Sequence, residues 1–275
     1  MGLVAAAAMP ARAGVVLVGN DKAPELKEAL DAAQKTAPSF SFADEDSIDA
    51  AEQLRHADVI LAVGVRALLL ARTVAADKPV VYAMVPAAEA QPGKLITGVA
   101  LEVPAYAVLV LWKQLRYDSQ RIALVYDKSA PAIAADAAKA AAAFGLTLVA
   151  RAVDATNVDA AVDELAPKSD AVWIATAGWP VKAAAKWRGK VALLGSADQS
   201  TALGALFSLA VDAGDIGRRA ARLALGIEGR AAAARVPVPA PTTSPGALTL
   251  NATTAAALGI DLPETIVKKA RKVFH

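Results

Sequence analysis

The sequence predicts an α/β protein of two lobes, each a mostly parallel sheet with helices on both faces. Three observations lead there. From Gly14 onward, short aliphatic runs alternate with longer alanine-rich amphipathic stretches, the pattern of repeated strand–helix units. The pattern restarts at Arg121, as though a second sheet begins. A chain of 275 residues also exceeds one small core and suits two lobes of ordinary size.

The elements follow in order. Val15 to Val18 reads as the first strand, followed by a helix from about Ala23 to Gln34 and a weak strand at Phe40 to Phe42. A helix from Ser47, whose hydroxyl suits an N-cap, runs to about Arg55. Asp58 to Val63, Pro79 to Val85 and Ile96 to Leu101 are continuous aliphatic runs and read as buried strands, with a helix over Arg66 to Ala75 that Gly64 introduces. A further helix runs from Pro104 to about Leu115.

The second series opens with a strand at Arg121 to Tyr126 and a helix from Pro131 to Phe144, closed by Gly145 as a C-cap. A strand at Leu146 to Ala152, a helix at Val158 to Leu165 and a strand at Ala171 to Thr176 come next. A helix near Val181 to Trp187, strands at Val191 to Leu194 and Ala205 to Val211, and a helix at Asp215 to Ile227 complete it. The Pro-rich stretch Val236 to Pro245 has few helical options and reads as an extended connection between lobes.

Composition excludes several functions. The net charge of +2 gives no general attraction for nucleic acid or an anionic membrane. No apolar run reaches the roughly 18 residues that span a bilayer. With no cysteine there is no disulfide, thiolate metal site or cysteine nucleophile. Only His56 and His275 are present, with no HExxH, G-x-S-x-G or Walker loop, and Gly19-Asn20-Asp21 lacks the spacing that cradles phosphate. The expectation is therefore a non-enzyme with no cofactor and no metal. The apolar run Leu3 to Met9 followed by Ala11-Arg12-Ala13 has the form of a signal-peptide tail with a small-x-small cleavage pattern, so residues 1–13 are set apart from the fold. An alanine-rich terminus of no targeting function is the alternative.

Several stretches carry a distributed resemblance: AVGVRALLLA (Ala62 to Ala71), KPVVYAMV (Lys78 to Val85), ITGVALEVP (Ile96 to Pro104), RIALVYDKS (Arg121 to Ser129), and the long segments Gly204 to Ile227 and Ser244 to Phe274. In these the chain resembles bacterial ABC-transporter substrate-binding proteins related to tryptophan- and tyrosine-binding components. The resemblance implies a type I periplasmic-binding fold, with two Rossmann-like lobes hinged around a central cleft. It also implies three passages of the chain between lobes, near Glu102 to Pro104, Val211 to Asp215 and Ala234 to Pro241. One lobe would then comprise 14–103 with about 212–234, and the other 104–211 with about 235–275.

The implied function is capture of a small ligand by hinge closure in the periplasm, by a monomer that delivers it to an ABC permease and its ATPase. A sensor presenting its closed form to a membrane receptor kinase is the alternative. Family members that hold amino acids share a Thr-Asp-Pro at the end of the fourth strand, where this chain has Val85-Pro86-Ala87. A carboxylate for an ammonium group is missing at that position, which leaves an aromatic amino acid as one candidate ligand and a more hydrophobic solute as another.

Loops at the carboxyl ends of the strands should line the cleft, which nominates Gly64, Val65 and Arg66 in one lobe and Tyr126, Lys128 and Ser129 in the other. Gly64 permits close backbone approach or simply turns the chain. Arg66 opposes the dipole of the helix it opens, a cost that hints at a ligand or partner. Met84 and Leu101 stand at strand ends where the family is often more polar, and could grip an apolar ligand or pack in the core. Trp179, between Gly178 and Pro180, is suited to stacking on a ligand or anchoring its loop. Asp198 resembles a rim position of the second lobe, able to accept a ligand hydrogen bond or to cap a helix.

Overall fold

A computed structural model describes residues 14–176, 179–231 and 242–275. The chain divides into two compact units, one drawn from Met1–Glu102 and Ala213–Ser244, the other from Val103–Asp212 and Pro245–His275. It therefore leaves the first unit after Glu102, returns at Ala213 and leaves again after Ser244. The last passage falls later than the expected 234–241, a range outside the described residues. Thr242 and Thr243 pair with Val99 and Ala100, and so stay with the first sheet.

The first unit contains strands β1 (Val15–Gly19), β2 (Ser41–Asp44), β3 (Val59–Val63), β4 (Val80–Val85), β5 (Ile96–Ala100) and β11 (Thr242–Thr243). They form one parallel sheet in the order β11-β5-β4-β3-β1-β2. Strands β1, β3 and β4 are buried along their whole length, which explains why they read as unbroken aliphatic runs. The β2 edge is half apolar and mostly exposed, matching its weak sequence signal.

Two helix layers cover this sheet. Helices α2 (Ala50–His56), α3 (Val65–Val74) and α4 (Ala87–Ala90) lie on one face, over Val16, Val18, Ile60, Val80 and Tyr82. The other face carries α1 (Pro24–Thr36) and α10 (Ala213–Ala231), over Val15, Leu17, Leu61, Val81 and Val99. Proline at the first turn of α1 fixes a helical φ where no N–H partner is needed. Helix α2 begins at Ala50, later than expected. The Ser47 hydroxyl accepts the Asp49 N–H in a local turn at 3.4 Å, so it does not cap the helix.

The second unit contains β6 (Arg121–Asp127), β7 (Thr147–Val153), β8 (Ala171–Ala175), β9 (Ala192–Gly195), β10 (Phe207–Ala210), β12 (Ala247–Asn251) and β13 (Lys272–Phe274). Its sheet runs β13-β12-β10-β9-β8-β6-β7; β6 to β10 are parallel, and β12 and β13 run together in the opposite direction, pairing Leu250 with Phe207 across the β10–β12 boundary. One face carries α5 (Ala105–Leu115), α6 (Ala132–Ala143) and α11 (Ala252–Ala257) around the buried Trp112 and Leu124. The other carries α7 (Val158–Leu165) and α8 (Val181–Trp187) over Val125, Val172 and Ile174. Helix α6 ends as expected: Gly145 takes φ +65°, and the Leu146 N–H returns to the Ala141 carbonyl at 2.9 Å.

Short helices α9 (Asp198–Ala202) and α12 (Glu264–Val267) complete the unit. A buried hydroxyl network fixes α9 to the antiparallel pair: Thr201 Oγ1 donates to Ser208 Oγ at 2.8 Å and shares a 2.6 Å bond with Thr249 Oγ1. Asn251 Nδ2 adds a bond to the Thr201 carbonyl at 3.0 Å. Among the described residues no helix is long and apolar enough to cross a membrane.

Each unit borrows a helix. Helix α5 follows β5 of the first sheet yet packs in the second unit, and α10 follows β10 of the second sheet yet packs beside α1 in the first. Helix α10 buries Ala213, Ile216, Ala220, Ala221, Ala224 and Ile227, one continuous stripe at helical spacing. Gly217 lets it approach α1, because a Cβ there would stand 2.1 Å from the Ala29 carbonyl oxygen.

Gly217→Ala should therefore destabilise the protein by about 1–3 kcal/mol or more, the range for overpacking a filled contact. Gly226→Ala, in the same helix with nothing within 4 Å of the new Cβ, should gain about 0.5–1 kcal/mol from helix propensity. Urea unfolding of the two variants checks the pair.

Candidate functional site

Both sheets reverse their strand order at the same place. In the first, β1 lies between β2 and β3; in the second, β6 lies between β7 and β8. Successive strands thus depart in opposite directions from β1 and from β6. The loops at the carboxyl ends on either side of such a point part to leave a crevice. The sequence-nominated residues fall largely on these loops and the ones beside them.

In the first unit Gly64 follows β3 at φ +97° and ψ 161°, a conformation closed to residues with a Cβ. Its N–H donates to the Ala83 carbonyl at 2.9 Å, and its own carbonyl takes the first bond of α3 from Leu68. Val65 is half-buried and Arg66 is exposed. Arg66 points to the loop after β2: its guanidinium donates to Asp46 at 2.6 Å and stands 3.8 Å from Glu45. Lys22 also pairs with Asp46, and Asn20 donates to Glu45. Lys22 and then Arg66 hold the Asp46 carboxyl below its ordinary range, and Asp46 in turn raises both cations. The charge at the helix start thus has its partners within the rim.

Met84 and Leu101 stand at the ends of the adjacent β4 and β5. The register between these strands shifts after Ala83, so that Ala83 faces Val99 while Val85 faces Ala100, leaving Met84 as the extra residue of a bulge. Met84 takes φ +57°, rare for a long side chain. In consequence Ala83 and Met84 turn to the same face, that of α1 and α10, while Val85 joins Tyr82 on the opposite face. Met84 is buried, and the half-buried Leu26 and Leu101 pack against the same cluster.

In the second unit Tyr126, Lys128 and Ser129 end β6 and begin its loop. Tyr126 is half-buried against the α5–α6 core. Ser129 donates through its N–H and its hydroxyl to Asp127 Oδ1, at 2.8 and 2.7 Å, and these bonds lower the Asp127 pKa. Lys128 reaches Asp154 at 3.2 Å. Trp179, beyond β8, is half-buried against the α7–α8 core, and its buried indole N–H has no partner among the described residues. Asp198 is the first residue of α9 and pairs with Arg271 across the rim, so its carboxylate does not cap the helix.

The structure thus places Gly64, Val65 and Arg66 at the carboxyl end of β3 beside β1, with Met84 and Leu101 at the ends of the next two strands. It places Tyr126, Lys128 and Ser129 at the end of β6 and Trp179 after β8, with Asp198 after β9 farther along the same edge. Sequence reasoning missed Asn20, Glu45 and Asp46, although the acidic run Asp44-Glu45-Asp46 after a strand was a signal. It also missed Ser196, which accepts the Trp173 indole N–H at 3.1 Å and donates to the Ile174 carbonyl at 3.2 Å. Glu102 was overlooked too; its two carboxylate oxygens take the Ala87 N–H at 3.0 and 3.1 Å. Among the described residues no group of three or more His, Asp or Glu could hold a metal ion.

Two α/β units with matching strand order and three chain passages have the fold of type I periplasmic-binding proteins. The family model for ABC transporter substrate binding protein matches residues 36–274, and the chain belongs to that family. Its members are binding proteins, not enzymes. Solved structures are similar in fold. An L-Trp-bound ABC domain from Streptococcus pneumonia is 19% identical, covers 96% of this chain and 100% of its own, and has a TM-score of 0.57. A ligand-free, open substrate-binding protein with adhesive properties from Clostridium difficile is 15% identical, with coverage of 95% and 99% and a TM-score of 0.70. A periplasmic ribose ABC transporter protein from Conexibacter woesei is 12% identical, with coverage of 90% and 95% and a TM-score of 0.57. No curated protein matches the sequence.

Asp154 supplies a pH test of the second rim. The Thr156 hydroxyl, the Thr156 N–H and Lys128 bring its pKa from an ordinary 3.8 down to about 2. A depressed carboxyl contributes stability that is full above its ordinary pKa and is lost as pH falls from about 4 through about 2. In Thr156→Ala, NMR titration should show the Asp154 carboxyl moving up toward its ordinary value, and acid unfolding should begin at higher pH.

Proposed function

We propose that the protein is the periplasmic solute-binding component of an ABC importer, and that it holds a small ligand with an apolar or aromatic body by closing its two units on it. The observation that carries this reading is the pairing of family membership with two rims, one in each unit, at the reversal points of their sheets. Three chain passages serve as the hinge, and contacts from both units favour the closed state that a permease engages. The first rim contributes Gly64, Val65 and Arg66 with Met84 and Leu101, and the second contributes Tyr126, Lys128, Ser129, Trp179 and Asp198.

Ligand character follows from the side chains. Met84 and Leu101 offer adaptable apolar contact, and the half-buried Trp179 offers part of an aromatic ring. The L-Trp held by the Streptococcus pneumonia domain is a ligand of this kind, whereas ribose and myo-inositol, named for other neighbours, are polyols.

Calorimetry and small-angle scattering test the proposal with tryptophan, phenylalanine, leucine, indole compounds, ribose and myo-inositol. An aromatic or branched apolar compound should bind and reduce the radius of gyration. Trp179→Ala and Met84→Ser should each weaken that binding about tenfold, or about 1.4 kcal/mol. Preference for a polyol would overturn the ligand assignment, and absence of both binding and compaction across the panel would overturn the binding function.

A further inference from the structure

The bulge at Met84 is held from three sides. Behind it, the Gly64 N–H donates to the Ala83 carbonyl at 2.9 Å. Ahead of it, the Leu101 N–H donates to the Val85 carbonyl at 3.2 Å. Beyond that, the Ala87 N–H donates to both oxygens of Glu102, at 3.0 and 3.1 Å. Leu101 and Glu102 are also the last two residues of the first unit before the chain passes to the second at Val103. The same dipeptide therefore ends one arm of the hinge and clamps the loop that carries Met84.

A residue with a long side chain at φ +57° stays there only while its surroundings enforce it. Here much of that enforcement comes from the end of β5, which is short and continues directly into the passage. A change in backbone direction after Glu102 alters the pull on Ala87 and Val85, and through them the position of Met84. The reverse also holds, since coupling between two positions is reciprocal. Glu102 makes this contact with its side chain, so the link can be cut without changing the sheet.

We propose that Glu102 is a positioning residue that couples the Met84 rim to the hinge, so that the setting of Met84 and the angle between the units change together. This rests on the hinge-closure reading above. Glu102 is not required to touch ligand in this role. Its carboxylate fixes the β4–α4 loop against the first passage, and the strained Met84 is the element displaced when that passage turns.

The test needs no ligand. The chain has no cysteine, so Leu69→Cys in the first unit and Val149→Cys in the second, both exposed, accept spin labels at defined sites. Dipolar spectroscopy then gives the distance distribution between the units, and hydrogen exchange reports the Ala87 N–H. In Glu102→Ala the Ala87 N–H should exchange at least tenfold faster and the distance distribution should shift or broaden. Glu102→Gln, which keeps a carbonyl oxygen as acceptor, should restore most of both, with thermal unfolding showing that all variants remain folded. Faster exchange with an unchanged distribution would reduce Glu102 to a local cap and overturn the proposal, as would unchanged exchange. A distribution that responds to Glu102→Ala but to no solute in the panel would sustain the coupling and count against the binding function instead.

Discussion

The seating of α10 on α1 is the contact on which the first unit depends. Helix α10 arrives from the far side of the second unit's sequence, and its buried alanines and isoleucines close the face of the first sheet that α1 alone leaves open. The approach is set by backbone: at Gly217 no atom of a side chain fits between the two helices. Small residues on α10 and on α1, with Ala29 and Ala33 fully buried, let a long helix lie close enough to replace water along its length. In the second unit α5, which follows β5 of the first sheet, packs beside α6.

Much of this could be read from the residues, because buried parallel strands are continuous aliphatic runs that alternate with amphipathic helices. Val59–Val63 and Val80–Val85 were unmistakable for that reason. The elements after Ser244 were not, since β12 and β13 are short and their partners lie far away in sequence. Local patterning cannot indicate that Leu250 will face Phe207. Ser47 misled in the opposite way: its hydroxyl was a plausible cap, but the Ser47-Ile48-Asp49 turn used it two residues before the helix.

At the rims, positions were more legible in the residues than partners were. It placed Gly64, Arg66, Lys128 and Asp198 at strand ends, and the structure adds that Arg66, Lys128 and Asp198 are each engaged by an opposite charge. Those carboxylates and cations came from loops whose contact depends on strand order, not on sequence spacing. Met84 could be recognised as a strand-end residue, yet its reversal of face arises from one extra residue between two strands and left no mark in the hydrophobic pattern. The charged pairs tie these loops to their neighbours, while Met84, Leu101 and Trp179 pack against the cores beneath them.

The exchange of helices also orders the birth of the protein. A ribosome releases β1 through β5 long before α10 exists, so one face of the first sheet must wait, covered by α1 alone, until the whole second series of strands has been made. The second unit meets the mirror condition at a smaller scale, since β10 gains its antiparallel neighbour only when the final segment emerges. The face of the first sheet that α10 covers therefore stays open until the chain has been made as far as Ala231, more than two hundred residues after β1.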